Sequence, residues 1–80
     1  MNTDEARHLV VGLLEQIAPD ADVLAADPDR DLRRELDLDS LDFQTLVERV
    51  AEATRVEIPE IDYPKVRSLR GLSEYVAAHA

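Results

Sequence analysis

The stretch LDLDSLDFQTLVERVAEAT, Leu36 to Thr54, decides how this chain folds. Phe43, Leu46, Val47, Val50 and Thr54 recur at steps of three and four, which is the stripe of one buried helix face. Asp42, Thr45, Glu48, Arg49 and Glu52 fall on or beside the opposite face. The spacing predicts a helix from about Ser40 to Thr54. Asp39 stands where an N-cap belongs, and Asp42 follows three residues later, a weak form of the capping box. Ser40 is therefore set at a helix start among three aspartates, 37, 39 and 42.

The flanking segments extend the same pattern. In TDEARHLVVGLLEQIAP, Ala6, Leu9, Val10, Leu13, Leu14 and Ile17 share one helical face. Asn2 or Thr3 can cap that helix, Asp4 and Glu5 suit its positive end, and Pro19 stops it. A last helix starts from a Ser68 cap and runs through Leu69, Leu72, Tyr75 and Val76 to the end. VEIPEIDYPK is too punctuated for a long element. Pro59 opens one short turn and Pro64 closes it, with Ile58 and Ile61 as anchors. The connection over residues 20–38 is long for so small a domain, and loops of that kind tend to be functional. Its leucines at 24, 32, 36 and 38 predict that it is pinned across the helices, with a turn around Leu32 to Leu36. The expectation is an all-α fold: a small antiparallel bundle of three main helices plus one short helix, with a long loop between helices one and two. Residues 1–80 make a single domain, since two cores would not fit.

Composition bounds the rest. Apolar content of 45% favours folding over disorder, and aromatic content of 4% means an aliphatic core. A core of this size sustains a stability of about 3–5 kcal/mol. No cysteine is present, so disulfides, thiolate metal sites and thiol nucleophiles are excluded. No run approaches the ~20 apolar residues needed to span a bilayer, and a soluble, cytoplasmic monomer is the expectation. Eighteen acids against nine bases leave a net charge of −9. Between Asp20 and Asp42 the imbalance is nine acids to three bases, a net of −6. Such a surface repels phosphate backbones and anionic lipid heads, which argues against nucleic acid and membrane and for proteins that present basic patches.

Ser40 does not read as a nucleophile. Acyl-transfer chemistry needs a base within hydrogen-bond reach and an oxyanion hole. The histidines, His8 and His79, lie near the two ends of the sequence, and Leu38 and Asp42 occupy the glycine places of GxSxG. No catalytic residue is assigned. A calcium loop fails because Leu38 and Leu41 break the ligand run and no glycine occurs between Gly12 and Gly71. No metal site is assigned either, although a weak magnesium contact stays open. Two readings of Ser40 then remain: a plain helix cap, or a serine that another enzyme modifies, whose phosphate ester would meet the positive helix end.

The residues Leu36-Asp37-Leu38-Asp39-Ser40-Leu41-Asp42 resemble the Asp-Ser-Leu signature of acyl carrier proteins. Leu46-Val47 follows at that family's spacing, Glu57-Ile58-Pro59 stands where carriers read Glu-Ile-Pro, and a Ser-capped last helix contains Tyr75-Val76. The similarity covers essentially the whole chain. It implies that Ser40 receives 4′-phosphopantetheine from coenzyme A through a separate Mg²⁺-dependent phosphopantetheinyl transferase, and that the thiol of the arm holds acyl groups as thioesters. Asp39 would then help the transferase and its metal engage. Leu41 would be the apolar contact beside the arm, and Asp37, Asp42, Glu48 and Glu52 the acidic surface for partner enzymes. Leu46, Val50, Ile58 and Ile61 would line the space where acyl chains tuck between helices. The partners implied are acyl-loading, ketosynthase or acyltransferase enzymes of fatty-acid, polyketide or specialised lipid synthesis. An aminoacyl or peptidyl carrier, or a helical adaptor that is never acylated, are the alternatives. Departures from the family pattern are also present: Asp37 replaces a common glycine, Gln44 an aliphatic, Thr45 a glutamate and Glu48 a methionine, and Arg49 adds positive charge to the docking face. They imply a partner set unlike that of housekeeping fatty-acid synthesis.

Overall fold

In a computed structural model that describes residues 1–80, the chain is all helical, with three main helices: α1 (Thr3–Ile17), α3 (Ser40–Thr54) and α4 (Leu69–His79). A single turn, α2 (Leu32–Glu35), and two 3-10 segments, Val23–Ala25 and Glu60–Val66, complete it. Each main helix starts where its local chemistry dictates. Asn2 caps α1 by accepting the Glu5 N–H at 2.8 Å, while Glu5 accepts the Asn2 N–H at 3.1 Å. Ser68 Oγ caps α4 by accepting the Gly71 N–H at 3.0 Å.

Helix α1 packs most extensively on α4 and also against α3, with the Glu60–Val66 segment laid along α4. One aliphatic core results, with Val10, Leu14, Leu32, Leu46, Val50, Val66, Leu69 and Leu72 almost wholly removed from water. The long connection is folded onto it. Val23, Leu32, Leu36 and Leu38 are buried, and the backbone is tied to the entry of α4. Leu32 N–H donates to the Arg67 carbonyl at 2.8 Å, and Arg70 N–H, one of the orphan donors of the first turn of α4, donates to the Pro28 carbonyl at 2.9 Å. The Arg70 guanidinium also pairs with Asp29.

Three expectations need correction. Leu24 is 76% exposed and Val23 is buried in its place, because the 3-10 turn, capped by Asp22 onto the Ala25 N–H, turns the neighbouring side chain inward. Ile61, expected as an anchor and as acyl-chain lining, is 85% exposed; Ile58 and Val66 anchor the segment instead. Pro64 lies inside the Glu60–Val66 segment rather than ending it. Its fixed φ suits a 3-10 turn, so it interrupts nothing there.

The 3-10 segment is held to α4 by a polar contact. Tyr75 Oη donates to Asp62 Oδ2 at 2.7 Å, and Lys65 Nζ lies 3.4 Å from Asp62 Oδ1. The tyrosine hydrogen bond, helped by Lys65, holds the Asp62 carboxyl below its ordinary 3.8, and the carboxylate in turn raises the Tyr75 phenol above its ordinary 10.0. A depressed acid stabilises the fold above its unfolded pKa and loses that effect as pH falls through the folded value. A raised phenol does so below its unfolded pKa and loses the effect as pH rises through the folded one. The contact therefore stabilises the fold fully between about pH 4 and pH 10 and fades on either side. Tyr75→Phe is expected to return the Asp62 titration, followed by carboxyl NMR, toward its ordinary value. An unmoved titration would assign the depression to Lys65.

Candidate functional site

Two aspartates organise the start of α3. Asp39 is extended, with φ −84° and ψ 177°, and its Oδ1 accepts the Asp42 N–H at 2.8 Å. Asp42 Oδ2 reaches back to the Asp39 N–H at 3.4 Å, closing a reciprocal capping box. Ser40 is the first helical residue, exposed, and its hydroxyl makes no hydrogen bond within the protein. It caps nothing, because Asp39 does that work. The reading of Ser40 as a plain cap does not describe this helix. The N–H groups of Ser40 and Leu41 also have no acceptor within the chain, whereas the Phe43 N–H already reaches the Asp39 carbonyl at 3.1 Å. A free hydroxyl thus stands beside two free N–H donors at the positive end of a 15-residue helix.

The surroundings of Ser40 divide by exposure. Leu41 is 71% exposed, unusual for a leucine one residue into a helix. Asp37 is exposed and holds φ at +53°, in the left-handed region that favours glycine. Along α3, Glu48 and Glu52 face solvent, and Gln44 Nε2 donates to Glu48 Oε1 at 3.3 Å. Thr45 Oγ1 is turned back on its own helix and donates to the Leu41 carbonyl at 2.9 Å. Arg49 pairs with no acid, so its charge is unmasked among these carboxylates. Beneath this surface Leu46, Val50 and Ile58 belong to one buried cluster with Phe43, and Ile61 stays outside it.

A family model described as "Phosphopantetheine attachment site" matches residues 8–76, which is nearly the whole chain and includes every element but the first turn of α1 and the last of α4. The chain belongs to the acyl carrier protein type of phosphopantetheine-binding family. Domains of this family are sites of covalent 4′-phosphopantetheine attachment, and they are typically carriers rather than catalysts. The start of α3 fits such a group, since it offers an unbonded hydroxyl and two adjacent donors for phosphate oxygens. No helix of the carrier is long and apolar enough to cross a membrane.

One feature of the carrier was not anticipated from its sequence. A cavity of about 600 Å³ opens beside the start of α3, bounded by arginines 33, 34 and 67 and by Leu38, Phe43 and Tyr63. The last two meet edge to face, with ring centroids 6.0 Å apart and planes at 79°. The adjacent pair Arg33-Arg34 inside an acidic stretch was a visible signal. Arg67 was not: only the pairing of Asp31 with Ser68 across the bundle brings it to the other two.

Proposed function

We propose that Ser40 is the attachment residue and that the whole of residues 1–80 works as one acyl carrier domain. The observation that carries this reading is the division of labour at the start of α3. Asp39 and Asp42 take the capping, which leaves the Ser40 hydroxyl exposed and unbonded on a firm element. In the modification Ser40 Oγ attacks the coenzyme A phosphorus nearest the pantetheine. The new P–O bond replaces the one to adenosine 3′,5′-bisphosphate, which leaves, and the hydroxyl proton passes to the transferase. The arm, once bound, supplies a thiol that carries acyl groups as thioesters. The chain itself supplies position: a tethered group reaches partner active sites at a raised effective concentration. Incubation with coenzyme A and a broad-specificity phosphopantetheinyl transferase is expected to add the mass of one phosphopantetheine group, and Ser40→Ala to add none. A modified Ser40→Ala protein, or a wild type left untouched while a control carrier is converted, would overturn the assignment.

Asp37, Leu41, Asp42, Glu48 and Glu52 serve in this reading as the face that meets basic patches on the transferase and on acyl-handling enzymes, with Asp39 at the transferase's metal. Its support is that Asp37, Leu41, Glu48 and Glu52 are exposed, with Asp42 half-buried beside them, and that the chain carries a net charge of −9. Leu46, Val50 and Ile58 line the interior toward which an acyl chain would turn. The unmasked Arg49 and the Gln44–Glu48 pair favour partners other than those of housekeeping fatty-acid synthesis. Attraction between exposed charges is screened as the Debye length falls from about 10 Å at 0.1 M salt to about 3 Å at 1 M. Association with the transferase, followed by stopped flow, is expected to slow about tenfold or more over that range. Salt-independent association would remove the acids from steering.

A further inference from the structure

The arginine-lined cavity beside α3 is the place where this acidic chain gathers positive charge. Arg33, Arg34 and Arg67 have no carboxylate within ion-pair distance, although Lys65, Arg30 and Arg70 each do. Asp31 also borders the cavity, but its Oδ1 is committed to the Arg33 N–H at 2.9 Å as the cap of α2. The guanidinium groups therefore keep their donors free. Arginine presents those donors as a planar fork that matches a carboxylate. Leu38, Phe43 and the half-buried Tyr63 supply apolar wall in the same cavity. Cationic forks beside an apolar wall suit one kind of ligand: a short hydrocarbon chain that ends in an anion.

The cavity also lies within reach of Ser40. Phe43 follows Ser40 by three residues on α3, the spacing at which helix side chains are neighbours, and Leu38 precedes it by two. Given the Ser40 assignment, on which this step rests, we propose that the cavity receives the carboxylate end of a dicarboxylic acyl cargo. The carrier then holds such a chain in preference to a neutral one of the same length. The affinity required is small. A short flexible tether gives an effective concentration in the millimolar range, so a site of about millimolar Kd is half occupied by a tethered group. Acidic surface elsewhere on the chain repels the same carboxylate and leaves it few other resting places.

The test uses the carrier with arginine side chains labelled for NMR, in four forms: unmodified, carrying the arm with a free thiol, and carrying it as a valeryl or as a glutaryl thioester. The expected result is that the Nε–Hε resonances of Arg33, Arg34 and Arg67 move with the glutaryl arm and not with the valeryl arm. The movement is expected to vanish in Arg67→Gln, whose fold is retained because the tie to Leu32 uses only the residue 67 backbone carbonyl. Equal movement with both thioesters, or full movement with the free-thiol arm, would overturn the proposal; the second result would make the arm's own phosphate the bound anion. Mass spectrometry of each form separates the two levels. A chain that takes up no arm overturns the Ser40 assignment and this step with it, whereas a loaded chain without carboxylate-dependent movement overturns the cavity proposal alone.

Discussion

Gly71→Ala is expected to lower the stability of the fold by about 1–3 kcal/mol, the range for forcing one extra group into a packed interior. A Cβ at this position would overlap the Lys65 carbonyl oxygen and stand 3.1 Å from Ser68 Oγ. The obstacle is backbone, so no rotamer change relieves it. Either the Glu60–Val66 segment moves off α4, loosening the buried Val66 and the Tyr75–Asp62 hydrogen bond, or the first turn of α4 gives way. Gly71 does not have a positive φ, so the glycine is there for space and not for its torsional freedom. Against a total of about 3–5 kcal/mol the loss is large, and a visible unfolded population is expected at room temperature. Gly12→Ala is the control. Nothing lies within 4 Å of a Cβ there, and the same chemical change in an exposed helix interior is expected to stabilise by about 1 kcal/mol. Urea denaturation with unchanged m-values checks both. Equal effects at the two glycines would mean that the 3-10 segment does not approach α4 closely.

How much of this was legible in the sequence depends on how far apart the deciding residues lie. The bounds of α1, α3 and α4 followed from periodicity and from caps three residues wide, because those signals are local: Asn2 with Glu5, Asp39 with Asp42, Ser68 with Gly71. The loop leucines were legible as a group but not singly. Whether Val23 or Leu24 turns inward depends on a 3-10 turn that helical spacing does not encode. Ile61 misled for the same reason, since a hydrophobic residue between two prolines says nothing about which side of the segment meets the core. At the candidate site the local pattern put Ser40 at an exposed helix start yet left open whether it caps. Only the geometry shows Asp39 taking that part. Asp37 became intelligible in the same way: its positive φ of 53° explains why glycine suits a position where this chain has aspartate.

Leu46→Ala is expected to cost about 2–5 kcal/mol, most of the stability that a core of this size has, whereas Ile61→Ala is expected to stay within about 0.5 kcal/mol. Both are branched aliphatics expected, on resemblance, to line a space for acyl chains. Leu46 is 0% exposed and Ile61 is 85% exposed. Removing buried methyl groups forfeits their transfer from water and opens a cavity that α1 and α3 cannot fully close, while removing exposed ones changes little on either side of the folding equilibrium. Thermal and urea unfolding of the two variants measure the contrast directly. If Ile61→Ala cost as much as Leu46→Ala, the Glu60–Val66 segment would have to be rotated so that residue 61 faces inward. Tyr63 would then be displaced from Phe43, and the aromatic wall of the arginine-lined cavity would not exist as described. The stability of one surface isoleucine therefore bears on the cargo site as well as on the core.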